Sequence, residues 1–357
     1  MNTLFCDLLL KWDKKSNHRP MPWKGEKDPY KIWLSEIILQ QTRVEQGWDY
    51  YERFVKQYPT IQKLAAAKDD AVFKLWEGLG YYNRCRNLLF TARHIVNVLD
   101  GNFPTDYEGL ILLKGVGPYT AAAIASFAYN LPHAVVDGNV FRVFARYYGI
   151  HTPTDTKEGL QIFNAIAFEN LAKNKAGIYN QALMDFGATV CKPMSPLCSS
   201  CMMQATCAAF NQNMVGQLPV KLKVIKKKKR YFDYFCFTVG DKWLIQKRSE
   251  GDIWANLFQF YLVEQEKQIA PNENYINDVI LNQLSIDPES INAKWIHKTY
   301  QQQLTHQLLA VHFIHIELKS MPKVFEKGIW VTAGALHKYA YPKTINSFLS
   351  DEGLLKA

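Results

Sequence analysis

Apolar residues recur with a helical period through the first two thirds of the chain and change to a strand pattern after residue 230. Tyr30, Trp33, Leu34, Ile37 and Ile38 form one helical stripe, and Glu36 falls beside it with Ile32 and Leu39 one turn either way. Thr105 and Glu108 have the spacing of a capping box, which predicts a short helix with Leu110 and Leu113 on its buried side. Gly115-Val116-Gly117-Pro118 then turns the chain, and Pro118 suits the start of an alanine-rich, closely packed helix running through Tyr129. After Asp137, Val140, Val143, Phe144, Tyr147 and Tyr148 follow at helical spacing, with Gly149 as the stop. A further helical region runs through Gln181–Gly187 and ends at a group of cysteines. Tyr231–Val239 and Lys242–Lys247, separated by Gly240-Asp241, read as a β-hairpin, and Leu309–Leu318 as another strand. Between them residues 215–230 change character, with Gly216, Pro219 and seven basic residues from Lys221 to Arg230. The expected organisation is a two-domain α + β chain: an all-α domain over 1–214, a basic linker over 215–230, and a strand-rich domain over 231–357.

The composition fits that division, since 357 residues with 48% apolar content suffice for two cores. A net charge of +9 and a pI near 9.0 suit a polyanionic partner, although proteins that bind no nucleic acid share this balance. Asp7 and Lys11 interrupt the short apolar run at the N-terminus, and no basic leader region precedes it. The longest uncharged stretch, Gly115–Val136, is broken by Gly117-Pro118 and Asn130-Leu131-Pro132, so the expectation is a cytoplasmic chain with no membrane span.

Several residues could carry chemistry. The two glycines of Gly115-Val116-Gly117 expose backbone amides at a helix N-terminus, an arrangement suited to a nucleic-acid phosphate, although a plain helix–helix turn has the same sequence. Asp137 is placed as an N-cap, which an isolated Asp needs no catalytic role to explain. Glu36 among apolar neighbours has the setting of a general acid with a raised pKa, or lies on the wet edge of its helix. Gly78 and Gly80 make a turn presenting Tyr81 and Tyr82 beside Arg84 and Arg86; the rings either wedge between bases or fill a core. Cys191, Cys198, Cys201 and Cys207, with six, two and five residues between them, suit a zinc ion or a [4Fe–4S] cluster, and spacing does not choose. Cys6, Cys85 and Cys236 read as ordinary buried thiols.

Taken together, LKGVGPYTA, VVDGNVFRVFAR, WLSEIILQQTRV, the cysteine loop and RSEGDIWANLFQFY resemble the helix-hairpin-helix DNA glycosylases of the endonuclease III superfamily, and among them the MutY adenine glycosylases. The resemblance covers nearly the whole chain. It implies removal of adenine mispaired with 8-oxoguanine or guanine from double-stranded DNA, after the nucleotide is flipped into a pocket. It assigns Glu36 to protonate adenine N7, Asp137 to stabilise the oxocarbenium sugar, and Tyr119 and Asn139 to hold the two acids. Trp23, Lys24, Leu39 and Gln181 fall at adenine-pocket positions, with Lys24 where an arginine is often found. Gln41, Thr42, Tyr81 and the Gly115-Val116-Gly117 hairpin fall at DNA-binding positions, Tyr81 as the intercalating ring. The cysteine spacing matches the family's [4Fe–4S] loop, with a structural, DNA-facing role beside Lys192. The C-terminal half resembles an α/β Nudix-like domain without the Arg-Glu-x-x-Glu-Glu magnesium box, which implies recognition and not hydrolysis, and argues against a Nudix hydrolase. Thr305 and His306 align with the Phe-Ser-His loop that inspects 8-oxoguanine, while Leu304 lacks the aromatic ring; without that context they are a strand-end Thr and His. A glycosylase/lyase needs a nucleophilic lysine where Tyr119 stands, and a non-catalytic helix-hairpin-helix module needs neither Glu36 nor Asp137. The implied enzyme is monofunctional and monomeric.

Overall fold

The computed structural model describes residues 3–222, 226–325 and 328–355. The chain divides into two compact units, Met1–Ala67 with Asn83–Lys223, and Lys68–Tyr82 with Val224–Ala357. Among the described residues no helix is long and apolar enough to cross a membrane.

The first unit is built from helices. α1 (Thr3–Ser16), α2 (Pro29–Leu39), α3 (Val44–Gln57) and α4 (Ile61–Ala65) lead into it, α5 (Asp69–Trp76) belongs to the second unit, and α6 (Asn83–Val98), α7 (Tyr107–Ile111), α8 (Pro118–Tyr129), α9 (Gly138–Tyr148), α10 (Lys157–Asn170), α11 (Ala176–Thr189) and α12 (Ala208–Asn211) complete it. Asp28 caps α2 by accepting from the Tyr30 amide at 2.9 Å, with Pro29 at the first position. The stripe expected on α2 widens to most of its circumference: α3, α6 and α8 pack around it, so Ile32, Ser35 and Glu36 are buried too. α7 starts one residue later than the capping box predicts, because Asp106 and not Thr105 caps it, accepting from the Gly109 amide at 2.7 Å. α8 and α9 have the expected limits, and Leu110 and Leu113 are buried. One core cluster joins Phe5 and Leu9 of α1, Phe144 and Tyr147 of α9, and Leu183 and Phe186 of α11. α11 comes close to α9 at Gly187, where a Cβ would stand 2.7 Å from Asn139 Cβ.

The expected linker is not one free segment. Its first part packs on the helical unit: Leu218 is buried, its carbonyl accepts from Arg146 Nε at 3.0 Å, and the Val220 carbonyl accepts from the Thr154 amide at 3.0 Å. Residues 223–225, including Lys223, lie outside the described residues. Its last residues are already strand, since β1 runs Lys228–Val239.

The second unit contains β1, β2 (Lys242–Lys247), β3 (Phe258–Gln259), β4 (Tyr261–Gln265), β5 (Ile291–Ile296), β6 (Tyr300–Gln303), β7 (Gln307–Leu318) and β8 (Gly328–Thr332), with α13 (Glu273–Asp278) and α14 (Lys343–Asp351). They form one mixed sheet, β3-β2-β1-β7-β5, with β4 paired to β1, β6 to β7 and β8 to β2. β1 and β7 run parallel down its centre, from Lys228↔Gln307 to Thr238↔Glu317. Both faces of β1 are covered, Phe235 and Phe237 by the cluster holding Ile276 and Ile280, and Tyr234 through Phe313, whose ring stacks 4.2 Å from Phe348 of α14. That is why residues 234–237 read as an apolar run and not as an alternation, while Asp233 just before them is buried against His312 Nδ1 at 2.7 Å. α5 belongs to this unit because Glu77 accepts from the Tyr341 amide at 2.7 Å and Asn346 Nδ2 at 2.9 Å, and Lys74 donates to the Tyr339 carbonyl at 2.9 Å.

Candidate active site

Glu36 is 5% exposed, and burial pushes its carboxyl up to about 7 against a hydrogen bond from the Tyr119 hydroxyl, with Asp137 raising it further. Burial and the two carboxyls hold Tyr119 well above its ordinary value, so it remains a donor; its hydroxyl also lies 3.3 Å from Met184 Sδ. Asp137 caps α9, accepting from the Asn139 and Val140 amides at 2.9 and 2.8 Å and from Asn139 Nδ2 at 2.7 Å. Burial raises its pKa too, opposed by those hydrogen bonds and by Arg142. One acid is thus surrounded mainly by apolar groups and the other by hydrogen-bond donors, and burial raises both.

Beside Glu36 lies a cavity of about 170 Å³ lined by Trp23, Lys24, Ile32, Ser35, Phe127 and Gln181. Trp23 is fixed edge-on to Tyr51, ring centroids 5.3 Å apart. Leu39 is half-buried at the end of α2 and lies outside this lining. Arg142, which the sequence reading left without a role, spans from Asp137 to the cysteine loop. Its guanidinium donates to Asn139 Oδ1 at 2.8 Å, to the Gly187 carbonyl at 2.7 Å and to the Cys191 carbonyl at 2.8 Å.

Cys191, Cys198, Cys201 and Cys207 are free thiols lining one cavity with Arg146, walled by Val143, Phe186, Met203 and Phe210. Burial, then the neighbouring thiols, pushes Cys201 up to about 11. Arg146 donates to Cys191 Sγ at 3.5 Å, and Cys207 Sγ to the Arg146 carbonyl at 3.4 Å. Among the described residues no group of three or more His, Cys, Asp or Glu is placed to hold a metal ion.

The Gly115-Val116-Gly117 turn has Gly115 at φ +83°. Val116 is buried and its amide donates to the Leu113 carbonyl at 3.0 Å, so it holds the turn from within and does not present itself. Gly117 caps α8 without a side-chain hydrogen bond, and a Cβ there would meet nothing within 4 Å. Gln41 is exposed in a left-handed turn at φ +58° just after α2. Arg84 is buried, contrary to its expected place beside an exposed ring: it donates to the Ile37 and Ile38 carbonyls at 2.9 and 2.6 Å and to Thr42 Oγ1 at 3.2 Å, fixing the end of α2.

Residues 34–165 match the model of the HhH-GPD superfamily base excision DNA repair protein, and residues 234–351 that of the NUDIX domain. The adenine DNA glycosylase of Buchnera aphidicola subsp. Schizaphis graminum (strain Sg) is 32% identical over 97% of this chain and 98% of its own. The chain belongs to the adenine DNA glycosylase family. The adenine DNA glycosylase of Mus musculus is 42% identical over 60% of this chain and 44% of its own. A thermostable thymine-DNA glycosylase superposes with a TM-score of 0.55 at 28% identity, covering 59% of this chain and 96% of its own. An endonuclease III–DNA complex gives a TM-score of 0.51 at 22% identity, covering 59% and 96%, and shows the shared fold of the helical unit. The chain is therefore a base-excision-repair enzyme, an adenine DNA glycosylase with a helical HhH-GPD domain followed by a Nudix-like domain.

In the Nudix-like unit of this adenine DNA glycosylase, Leu304, Thr305 and His306 form the tip of the β6–β7 hairpin, closed by the Leu304 amide donating to the Gln307 carbonyl at 2.8 Å. The Lys228 amide donates to the His306 carbonyl at 2.9 Å, so the basic start of β1 runs beside that tip. The two tyrosines of the glycine turn separate: Tyr82 is buried, and Tyr81 is 45% exposed at φ +49°. Tyr81 and Thr305, brought together within this unit, share a hydrogen bond between their hydroxyls at 2.6 Å. Asp185 is a further residue that the local sequence does not single out; its only signal is a carboxylate among the apolar residues 182–186 of α11.

Proposed function

We propose that this adenine DNA glycosylase acts on adenine opposite 8-oxoguanine or guanine and is monofunctional. The observation that carries the chemistry is Glu36, buried, donated to by Tyr119 and pushed up to about 7, close enough to Asp137 to feel its charge. Adenine, flipped out of the duplex at a cost of a few kcal/mol, occupies the cavity of Trp23, Lys24 and Gln181. Glu36 gives its proton to adenine N7. The C1′–N9 bond then breaks with its electron pair leaving on a neutral base, and the Asp137 carboxylate, kept in place by Asn139, faces the positive sugar until water adds at C1′ and loses a proton. Tyr119 offers no amine for a Schiff base, so the product is an abasic site on an intact strand.

The helical unit supplies this chemistry, and the Nudix-like unit, with Lys68–Tyr82, reads the base opposite. Thr305 and His306 meet 8-oxoguanine from the hairpin tip, Tyr81 enters the stack, and Gln41, Thr42 and the amides around Gly115 and Gly117 hold the strand. Cys191, Cys198, Cys201 and Cys207 would hold a [4Fe–4S] cluster: four soft donors line one apolar cavity with a guanidinium at its edge, a donor set suited to an iron–sulfur centre, and the family's loop spacing supports that choice. Holding it would tie down the loop whose Cys191 carbonyl accepts from Arg142.

The test is an adenine:8-oxoguanine duplex with the pure enzyme in single turnover. Breaks are expected only after alkali. Efficient cleavage without alkali, with a borohydride-trapped protein–DNA adduct, would overturn the monofunctional reading.

A further inference from the structure

Asp185 lies one turn after Gln181 on α11, is wholly buried, and is the acceptor on which donors from three parts of the helical unit converge. Arg19 Nη1 reaches its carboxylate at 3.0 Å, Lys24 Nζ at 2.9 Å, Asn17 Nδ2 at 3.0 Å and Gln181 Nε2 at 3.1 Å. A carboxylate gripped by a guanidinium and an ammonium has only lone pairs to offer. It therefore decides which end of the Gln181 amide faces it. The carbonyl oxygen in that place would stand against a carboxylate oxygen, so the NH₂ group takes it, and Oε1 is left as the end available to the cavity that Gln181 lines. Lys24, which could donate to a base from the same wall, is held by the same carboxylate.

We propose that Asp185 is a specificity-determining positioning residue. By fixing Gln181 with its carbonyl oxygen toward the cavity, it selects a purine whose edge offers an amino N–H, as the 6-amino group of adenine does. A 6-oxo purine brings an oxygen against that oxygen and leaves both unpaired, the kind of mismatch that polar sites reject most strongly. The inference rests on the reading of this cavity as the base pocket.

Hypoxanthine keeps the N7 and the glycosidic bond of adenine and differs in its 6-oxo group and the proton that goes with it on N1, so Glu36 and Asp137 face the same reacting atoms in both. Single-turnover excision rates are compared on two duplexes differing only in that base, for the wild type, Asp185→Asn, Gln181→Met and the double variant. The adenine-to-hypoxanthine ratio on one preparation cancels its folded fraction, so a poorly folding variant still gives a reading. Asp185→Asn, whose own NH₂ lets the Gln181 amide turn round, is expected to lower the ratio about tenfold. Gln181→Met is expected to lower it as far, with the double variant no lower than Gln181→Met, because Asp185 acts through Gln181. Asp185→Glu, which keeps an acceptor-only head, is expected to retain the preference even where absolute rates fall. A ratio unchanged in Asp185→Asn while Gln181→Met lowers it, or independent losses that add in the double variant, overturns the role of Asp185. A ratio that Gln181→Met also leaves untouched overturns the pocket assignment beneath it.

Discussion

At the residue scale, the role proposed for Glu36 works against stability. The unfolded chain holds its proton with the ordinary value near 4.5 and the folded chain with one near 7. The folded state therefore binds the extra proton across that interval, and stability falls as pH rises from about 4.5 to about 7 and is level above it. Glu36→Gln, neutral throughout, is expected to exceed the parent in stability at pH 8 by roughly 3 kcal/mol and to match it near pH 4, measured by urea unfolding. Equal offsets at both pH values would mean that Glu36 is not the titrating group. The same substitution abolishes the acid, and in the parent the excision rate is expected to fall as pH rises through about 7. Asp137→Asn keeps the capping oxygen but loses the charge, so it is expected to bind mispaired DNA and barely turn over; substantial activity would remove Asp137 from the mechanism.

At the scale of elements, the site is an assembly of helix ends. The cap of α9 supplies Asp137, the start of α8 supplies Tyr119 and the Gly117 turn, and the end of α2, fixed by Arg84, supplies the Gln41 turn. Gly117 separates binding from folding, because its φ of −94° suits any residue and a Cβ there meets nothing within 4 Å. Gly117→Ala is therefore expected to cost under about 1 kcal/mol in stability, the difference between the two as N-caps. It is also expected to weaken duplex binding severalfold by crowding the phosphate, as measured by fluorescence anisotropy. Unchanged affinity would place the DNA strand elsewhere.

At the scale of the whole molecule, the proposed function divides its tasks between the two units. Thr305→Ala with His306→Ala removes polar groups from the hairpin tip of the second unit and leaves Glu36 and Asp137 in the first untouched. The double variant is expected to lose roughly 1–3 kcal/mol of its preference for 8-oxoguanine over guanine opposite adenine, while the chemical step survives. If single-turnover kinetics discriminate the two duplexes as before, lesion reading falls to Gln41 and Tyr81. Anaerobically purified protein is expected to carry about four irons with broad absorbance near 400 nm. Stoichiometric zinc without iron would refute the cluster.

What the sequence determined by itself is whatever a single turn of chain can encode. The limits of α8 and α9, the Asp137 cap, the Gly149 stop and the Gly240-Asp241 hairpin follow from φ preferences and side-chain-to-backbone hydrogen bonds spanning a few residues. The motifs that carry the family resemblance are equally local. Burial and distant partners were decided only by the tertiary structure. Helical periodicity left Glu36 at the edge of a stripe, and three packed helices turned that edge into core. Adjacent, chemically identical Tyr81 and Tyr82 took opposite fates. Asp185 found donors on Asn17, Arg19 and Lys24, more than 160 residues away in sequence, and α5 joined the unit formed mainly by the distal third of the chain. Local chemistry fixes where an element begins and ends, whereas a pKa or the orientation of an amide depends on every group the fold brings around it.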